Sequence, residues 1–246
     1  MRNIILGVSA LALAAVATPV MAQELEGFTV SGNAAIVTDY RFRGISLSTG
    51  DVAIQGGIDL GHESGFYIGT WGSSLADAGG GTTYGAAEID IYGGWSGEVT
   101  PGVTFDVGVL YYMYPNGTKG ADLDYWEPYA SIATTLGPVD ATFGVAYAPD
   151  QDSLGSEDNL YLYTDFGMGI PNTPISLSAH LGYTDGVLSP KALTGSTEND
   201  GFDWSLGASW ALTDNLSLGV TYTGVNAASV DDFSDDSVFG TLSVSF

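Results

Sequence analysis

Apolar and polar residues alternate along most of the chain. The last nine residues, Val238-Phe239-Gly240-Thr241-Leu242-Ser243-Val244-Ser245-Phe246, show it most plainly. Val238, Leu242, Val244 and Phe246 share one face with Gly240. Thr241, Ser243 and Ser245 share the other, where only Phe239 breaks the rule. A period of two is the mark of a strand lying between an apolar and a polar environment. An apolar face that runs to a final aromatic suits a strand closing a membrane barrel, with lipid outside and a wet lumen inside. The competing reading is the last strand of a soluble sandwich.

Upstream, the same alternation recurs. Phe28 to Gly44 reads as the first strand, with Phe28, Val30, Ala34, Ile36, Tyr40 and Phe42 against Thr29, Ser31, Asn33, Asp39, Arg41 and Arg43. A loop at Ile45–Gly50 follows. Strands are then predicted from Val52 to Leu60, Phe66 to Leu75, Ala87 to Trp95 and Val103 to Met113. Further strands run from Tyr125 to Leu136, where Pro128 predicts a local break or bulge, from Val139 to Tyr147 and from Asn159 to Met168. The last before the closing strand are Ile175 to Tyr183, Phe202 to Leu212 and Leu216 to Thr223. The connections alternate between loops and tight turns, and Asp185 to Asp200 reads as the longest loop. With the closing strand this makes about twelve strands, an even number as bacterial barrels require. A sandwich has no reason to sort its connections by length, whereas outer-membrane barrels have short periplasmic turns and longer outer loops. The predicted fold class is therefore all-β: a transmembrane antiparallel up-and-down β-barrel. Both termini are periplasmic, and the first strand pairs with the last. Tyr40, Phe42, Trp95, Tyr111, Trp126, Tyr147, Trp204, Trp210, Tyr222 and Phe246 are placed to form the interfacial girdles.

Composition changes this picture little and sharpens it in places. Residues 1–22 read as a secretory signal: Arg2, an apolar run from Ile4 to Ala17, then Val20-Met21-Ala22 before Gln23. One barrel domain, 23–246, remains. It contains no apolar run near the ~20 residues a membrane helix needs. Cysteine is absent, so no disulfide staples the fold. The 35 glycines disfavour helices, at a cost of ~1 kcal/mol per helical position. The formal net charge is −24, which excludes electrostatic binding to nucleic acid or anionic lipid and favours cations.

Four stretches carry a family resemblance: Val37-Thr38-Asp39-Tyr40-Arg41-Phe42-Arg43-Gly44-Ile45-Ser46, Ala53 to Asp59, Gly65 to Trp71 and Glu88 to Gly94. Over roughly the first third of the barrel domain the sequence resembles the TorF-type porin family of proteobacterial outer-membrane β-barrels. The resemblance implies an outer-membrane barrel with a channel role, and it transfers no catalytic or ligand residue. The Phe246 strand also resembles the C-terminal signal that the barrel assembly machinery reads, which implies that machinery as a partner.

The polar faces give the candidate pore-lining residues: Asp39, Arg41, Arg43, Asp59, Glu88, Asp90, Asp106, Glu127 and Asp165. Two arginines among so many carboxylates suggest a constriction in which Arg41 and Arg43 pair with Glu88, Asp90 or Glu127, because a guanidinium can serve two carboxylates at once. The alternative is that these charges only solvate a wet wall. The inward tyrosines (Tyr67, Tyr92, Tyr112, Tyr125, Tyr129, Tyr161 and Tyr163) either stack on a solute or fill the barrel. His180 has lumen parity, the wrong place for a lipid-cleaving site, and reads as a wall residue. Cofactors and a Cys/His metal centre are not expected. Asp150 to Gly155 resembles a calcium loop only faintly, since Leu154 stands where a ligand belongs. Gly79-Gly80-Gly81 lies between strands and not before a helix, so it is no phosphate loop. The Glu157-Asp158, Asp231-Asp232 and Asp235-Asp236 pairs read as a solvated rim, able to bridge through divalent ions to lipopolysaccharide. The function these features favour is a porin-like outer-membrane channel for passive diffusion of small polar or cationic solutes. A non-conducting, loop-displaying barrel is the alternative, and an outer-membrane enzyme a more distant one. Expected partners are outer-membrane lipid, lipopolysaccharide and small solutes, with no nucleic acid.

Overall fold

The computed structural model describes residues 23–25, 27–76 and 84–246. The signal segment and Gly79–Gly81 lie outside the described residues.

Twelve antiparallel strands form a closed barrel. They are β1 (Phe28–Val37), β2 (Ala53–His62), β3 (Phe66–Ser74), β4 (Ala87–Thr100), β5 (Val103–Met113) and β6 (Tyr125–Leu136), followed by β7 (Val139–Gln151), β8 (Glu157–Gly169), β9 (Ile175–Gly186), β10 (Asp200–Ala211), β11 (Leu216–Val225) and β12 (Ser237–Ser245). Each strand pairs with its chain neighbours, and β1 pairs with both β2 and β12. The seam runs from Val37↔Thr241 to Asn33↔Ser245. Reciprocal backbone bonds between Gly32 and Phe246 (2.9 and 3.0 Å) prolong it. A short strand, Gln23–Leu25, continues along β1 opposite Val30 to Phe28. No backbone edge of the wall is left open, as a structure surrounded by hydrocarbon requires.

The alternation decides which side chain faces which solvent. Ile54, Ile58, Ile68, Phe66, Leu206 and Val238 stand outward and exposed, Ile54 at 67%. So many bare apolar side chains would be costly in water, and they form a belt suited to lipid. Trp95, Tyr111, Trp126, Tyr147, Trp204, Trp210, Tyr222 and Phe246 also face out.

Inward positions pair tyrosines with glycines on the next strand. Tyr67 lies over Gly94, where an added Cβ would meet its hydroxyl at 2.6 Å. Tyr163 covers Gly144 in the same way. The missing side chains leave room for rings to lie flat on the wall, which gives part of the high glycine content a packing reason.

The structure differs from the sequence reading in several places. The first strand leaves the wall after Val37, not at Gly44. Thr38 makes the last seam bond, donating to the Gly240 carbonyl at 2.9 Å. The connection 38–52, rather than the one after β9, is the longest. It turns into the lumen as a small hairpin, with Arg41–Phe42 paired to Ile45–Ser46. Arg43 and Gly44 form its two-residue turn at φ 49° and 79°. Positive φ at both turn positions matches the twist of a tight hairpin, and at Arg43 it costs about 1–2 kcal/mol. Tyr40 and Phe42 are therefore interior residues and not girdle residues.

β4 runs on to Thr100, beyond its predicted end at Trp95, and meets β5 at a two-residue turn, 101–102. β7 and β8 also run longer than predicted, to Gln151 and from Glu157. The predicted break at Pro128 appears on one side only. β6 holds register against β5 through Val109↔Pro128, while its pairing to β7 stops at Tyr129. Beyond that point the Gln151 amide takes over, accepting from Trp126 N and donating to Trp126 O, each at 3.0 Å. The faint calcium loop is a 3-10 turn, Asp152–Leu154, whose Leu154 is buried.

Candidate functional site

The hairpin fills the outer half of the barrel. Tyr40, Ile45, Ser46 and Ser48 are buried, and Phe42 packs against a core of Tyr92, Leu110, Tyr112, Tyr125 and Ala148. Leu154 from the 152–156 connection and Leu188 from the 187–199 connection close over the same core. A second cluster joins Tyr40 to Val37 and Ala53, with Trp71 against it. This is a globular-type core assembled inside a membrane barrel, and apolar burial holds it.

Polar contacts fix its register. The Asp39 carboxylate accepts from Arg41 Nε (2.6 Å), Ser46 Oγ (2.5 Å) and Ser48 Oγ (3.2 Å). Tyr40 donates its hydroxyl to Glu88 at 2.8 Å. Arg43 crosses to β6, where one nitrogen, Nη2, donates to both Glu127 oxygens at 2.9 and 2.7 Å. Both side chains are only 2% exposed. The Arg43 guanidinium also lies 4.1 Å from the Tyr161 ring and 4.7 Å from the Phe42 ring. Tyr112 donates to Glu127 at 3.3 Å and stacks on Tyr125. Asp90 is fully buried nearby, and neither of its carboxylate oxygens has a hydrogen-bond partner.

Of the expected pairings, Arg43 with Glu127 is present. Arg41 instead turns toward the rim and meets the 226–236 connection, donating to the Asp235 carbonyl (2.7 Å) and carboxylate (3.1 Å). The reason is the hairpin: neighbours two apart on a strand share a face, but a tight turn after Phe42 sends Arg41 and Arg43 to different sides of the lumen. Ser46 N donates to the Phe233 carbonyl at 2.8 Å and adds to the same attachment.

Below the hairpin many inward-facing side chains, Asp59, Asp165, Ser209 and Ser243 among them, are partly exposed, while Asp106 stays buried. Asp59 accepts from Tyr92 at 2.5 Å and Asp106 from Tyr67 at 2.8 Å. Asp165 meets His180 Nδ1 at 2.6 Å. Sequence reasoning treated His180 as an ordinary wall residue. The structure gives it a second carboxylate, Asp203, at 2.9 Å from Nε2, with the Tyr161 hydroxyl at 2.8 Å from the same nitrogen. The signal available in sequence was weak. Asp165 and His180 become direct cross-strand neighbours only once the β8–β9 register is known.

Several of the rim acids are engaged. Asp158 accepts from Tyr147 at 2.8 Å, and Asp236 from Tyr222 at 3.0 Å. Lys191, in a short helix Pro190–Leu193 capped by Ser189, donates to Asp200 and Glu198. These two carboxylates hold its pKa above the ordinary lysine value. Among the described residues no cluster of His, Cys, Asp and Glu is arranged to hold a metal.

A closed twelve-stranded barrel with an apolar outer belt and a polar, partly filled lumen has the architecture of bacterial outer-membrane barrels, and the belt fits it to the outer membrane. A family model described as a bacterial protein of unknown function (Gcw_chp) matches residues 21–246, and the chain belongs to that family. No curated protein matches the sequence. Among solved structures, the NanC porin superposes with a TM-score of 0.58 at 9% identity, over 88% of this chain and 98% of that one. An outer-membrane channel of Pseudomonas putida F1 (COG4313) reaches a TM-score of 0.49 at 11% identity, covering 93% of this chain and 98% of that one.

Proposed function

We propose that the protein is a porin-like outer-membrane channel, not an enzyme, passing small polar or cationic solutes, with the 38–52 hairpin as its constriction. The observation that carries this reading is the sorting of charge. Among the described residues, Arg41 and Arg43 sit in the hairpin, Lys119 and Lys191 in outer loops, and no Lys or Arg faces the lumen below it. That lower lumen carries Asp59, Asp106 and Asp165 with His180, paired to Asp165, as its one basic group, so a cation meets attraction and an anion meets repulsion. The candidate pore-lining residues then divide into two tiers: Asp39, Arg41, Arg43, Glu88, Asp90 and Glu127 at the constriction, and Asp59, Asp106 and Asp165 beneath. The resemblance of Val37–Ser46 to TorF-type porins supports the same reading and falls on the hairpin itself. In this reading the β12 strand with Phe246 is the segment that barrel assembly machinery recognises, and the acidic rim faces lipopolysaccharide.

The depth of burial around Arg43 favours a second reading, a non-conducting barrel. Planar-bilayer recording decides between them. For the channel, the wild type gives small cation-selective steps, and deletion of residues 40–47 gives steps several-fold larger. Silence from both proteins would establish the non-conducting barrel. Anion selectivity in a salt gradient would overturn the solute class.

A further inference from the structure

We infer that the wall pocket occupied by Arg43 is a binding site for the guanidinium group of a solute, and that Arg43 is its tethered, autoinhibitory occupant. The carboxylate and the recognising ring belong to the barrel, while the hairpin adds the Phe42 ring at 4.7 Å and the cover that keeps water out. Glu127 of β6 supplies the carboxylate, Tyr112 of β5 donates to that carboxylate, and Tyr161 of β8 supplies a ring face 4.1 Å from the guanidinium carbon. A carboxylate with an aromatic face, sealed from water, is the chemistry that recognises a planar organic cation.

The occupant fits this pocket imperfectly. A single nitrogen of Arg43 takes both Glu127 oxygens, while Nε and Nη1 are buried without partners. Its backbone is held at φ 49° by the hairpin turn. Asp90, directly across the ladder from Tyr112, is wholly buried with both oxygens unpartnered. Unused donors and an unused carboxylate in one water-excluded region carry an unpaid desolvation cost. A free guanidinium, not bound to a backbone, can turn to present two nitrogens to Glu127 and relieve part of that cost. The solute class is therefore a guanidinium-bearing or similarly planar cation, and it competes with Arg43 for the pocket. This goes beyond the channel reading and rests on it only for the route by which a solute arrives.

Titration calorimetry of the folded barrel in detergent micelles, with methylguanidinium as probe, tests the site. Arg43→Ala empties the pocket and is expected to bind the probe about tenfold more tightly than wild type, the range of a desolvated carboxylate and cation–π site. Adding Glu127→Gln to that variant should abolish the gain, and acetate should not bind. Equal affinity in wild type and Arg43→Ala, or a gain that survives Glu127→Gln, would overturn the proposal. If Arg43→Ala loses its folded form on unheated gels, Arg43→Gly, which suits the positive φ at that turn and keeps the hairpin cover, replaces it, with the same two outcomes. Binding is read without conduction. A silent barrel that binds the probe sinks the channel reading alone, and a conducting barrel without the gain sinks the site alone.

Discussion

The two halves of the lumen share one wall and one alternation of side chains, yet they are different environments. In the outer half Glu88, Asp90, Glu127 and Tyr112 are buried to 1% exposure or less under the hairpin. In the periplasmic half Ser178, Ser209, Ser217 and Ser243 face a lumen that leaves them partly exposed. What separates the halves is the hairpin, and not the polarity of the wall. Carboxylates in the lower half keep part of their exposure, as Asp59 and Asp165 do, or are held by a tyrosine hydroxyl, as the buried Asp106 is. The same group in the upper half must be paired, or it costs several kcal/mol.

That contrast can be broken in order of force. Glu127→Ala strands Arg43 in a dry site and should cost about 3–5 kcal/mol, read as a drop in the urea midpoint of unfolding in micelles. A companion variant in which Arg43→Met joins Glu127→Leu should recover most of it, since neither member of the pair is then a buried charge. If Glu127→Ala is nearly neutral, water reaches the outer half and the contrast fails. Gly144→Ala forces Tyr163 off the wall and should cost about 1–3 kcal/mol by the same measurement, which tests whether ring-on-glycine packing braces the barrel at the boundary. Arg41→Ala removes the attachment to Asp39 and Asp235 but leaves Arg43 in place. It leaves the buried Asp39 with only Ser46 and Ser48 as side-chain donors and should cost about 1–3 kcal/mol, and hydrogen exchange should quicken at the backbone amides of 39–48 alone. Ser209→Ala in the lower half should stay within about 0.5 kcal/mol of wild type, as a solvated wall position would.

Particular residues show what could be read in advance. Ile54, Ile58 and Val238 declared their outward face through alternation alone, because a wall strand has only two sides. Asp59, Asp106 and Asp165 were assigned to the lumen by the same rule. Arg41 and Arg43 defeated it: alternation continues smoothly through Phe42, and nothing in a period of two distinguishes a strand that stays in the wall from one that leaves it. The Arg43-Gly44 turn was the only local sign, and arginine is an unusual residue at positive φ. His180 was legible as a lumen residue, but its two carboxylates come from neighbouring strands whose register the sequence does not state.

The sequence by itself determined the class of fold, the strand count, the alternation of loops with turns, and the side that the wall residues take. Those follow from local periodicity and from the rule that every backbone group in a bilayer must be paired. Only the tertiary structure decided what fills the barrel. The hairpin's inward course depends on contacts between residues far apart in the chain: Tyr40 with Glu88, Arg43 with Glu127 and Tyr161, Arg41 with Asp235. These contacts exist only after closure brings β1, β4, β6, β8 and the 226–236 connection around one lumen.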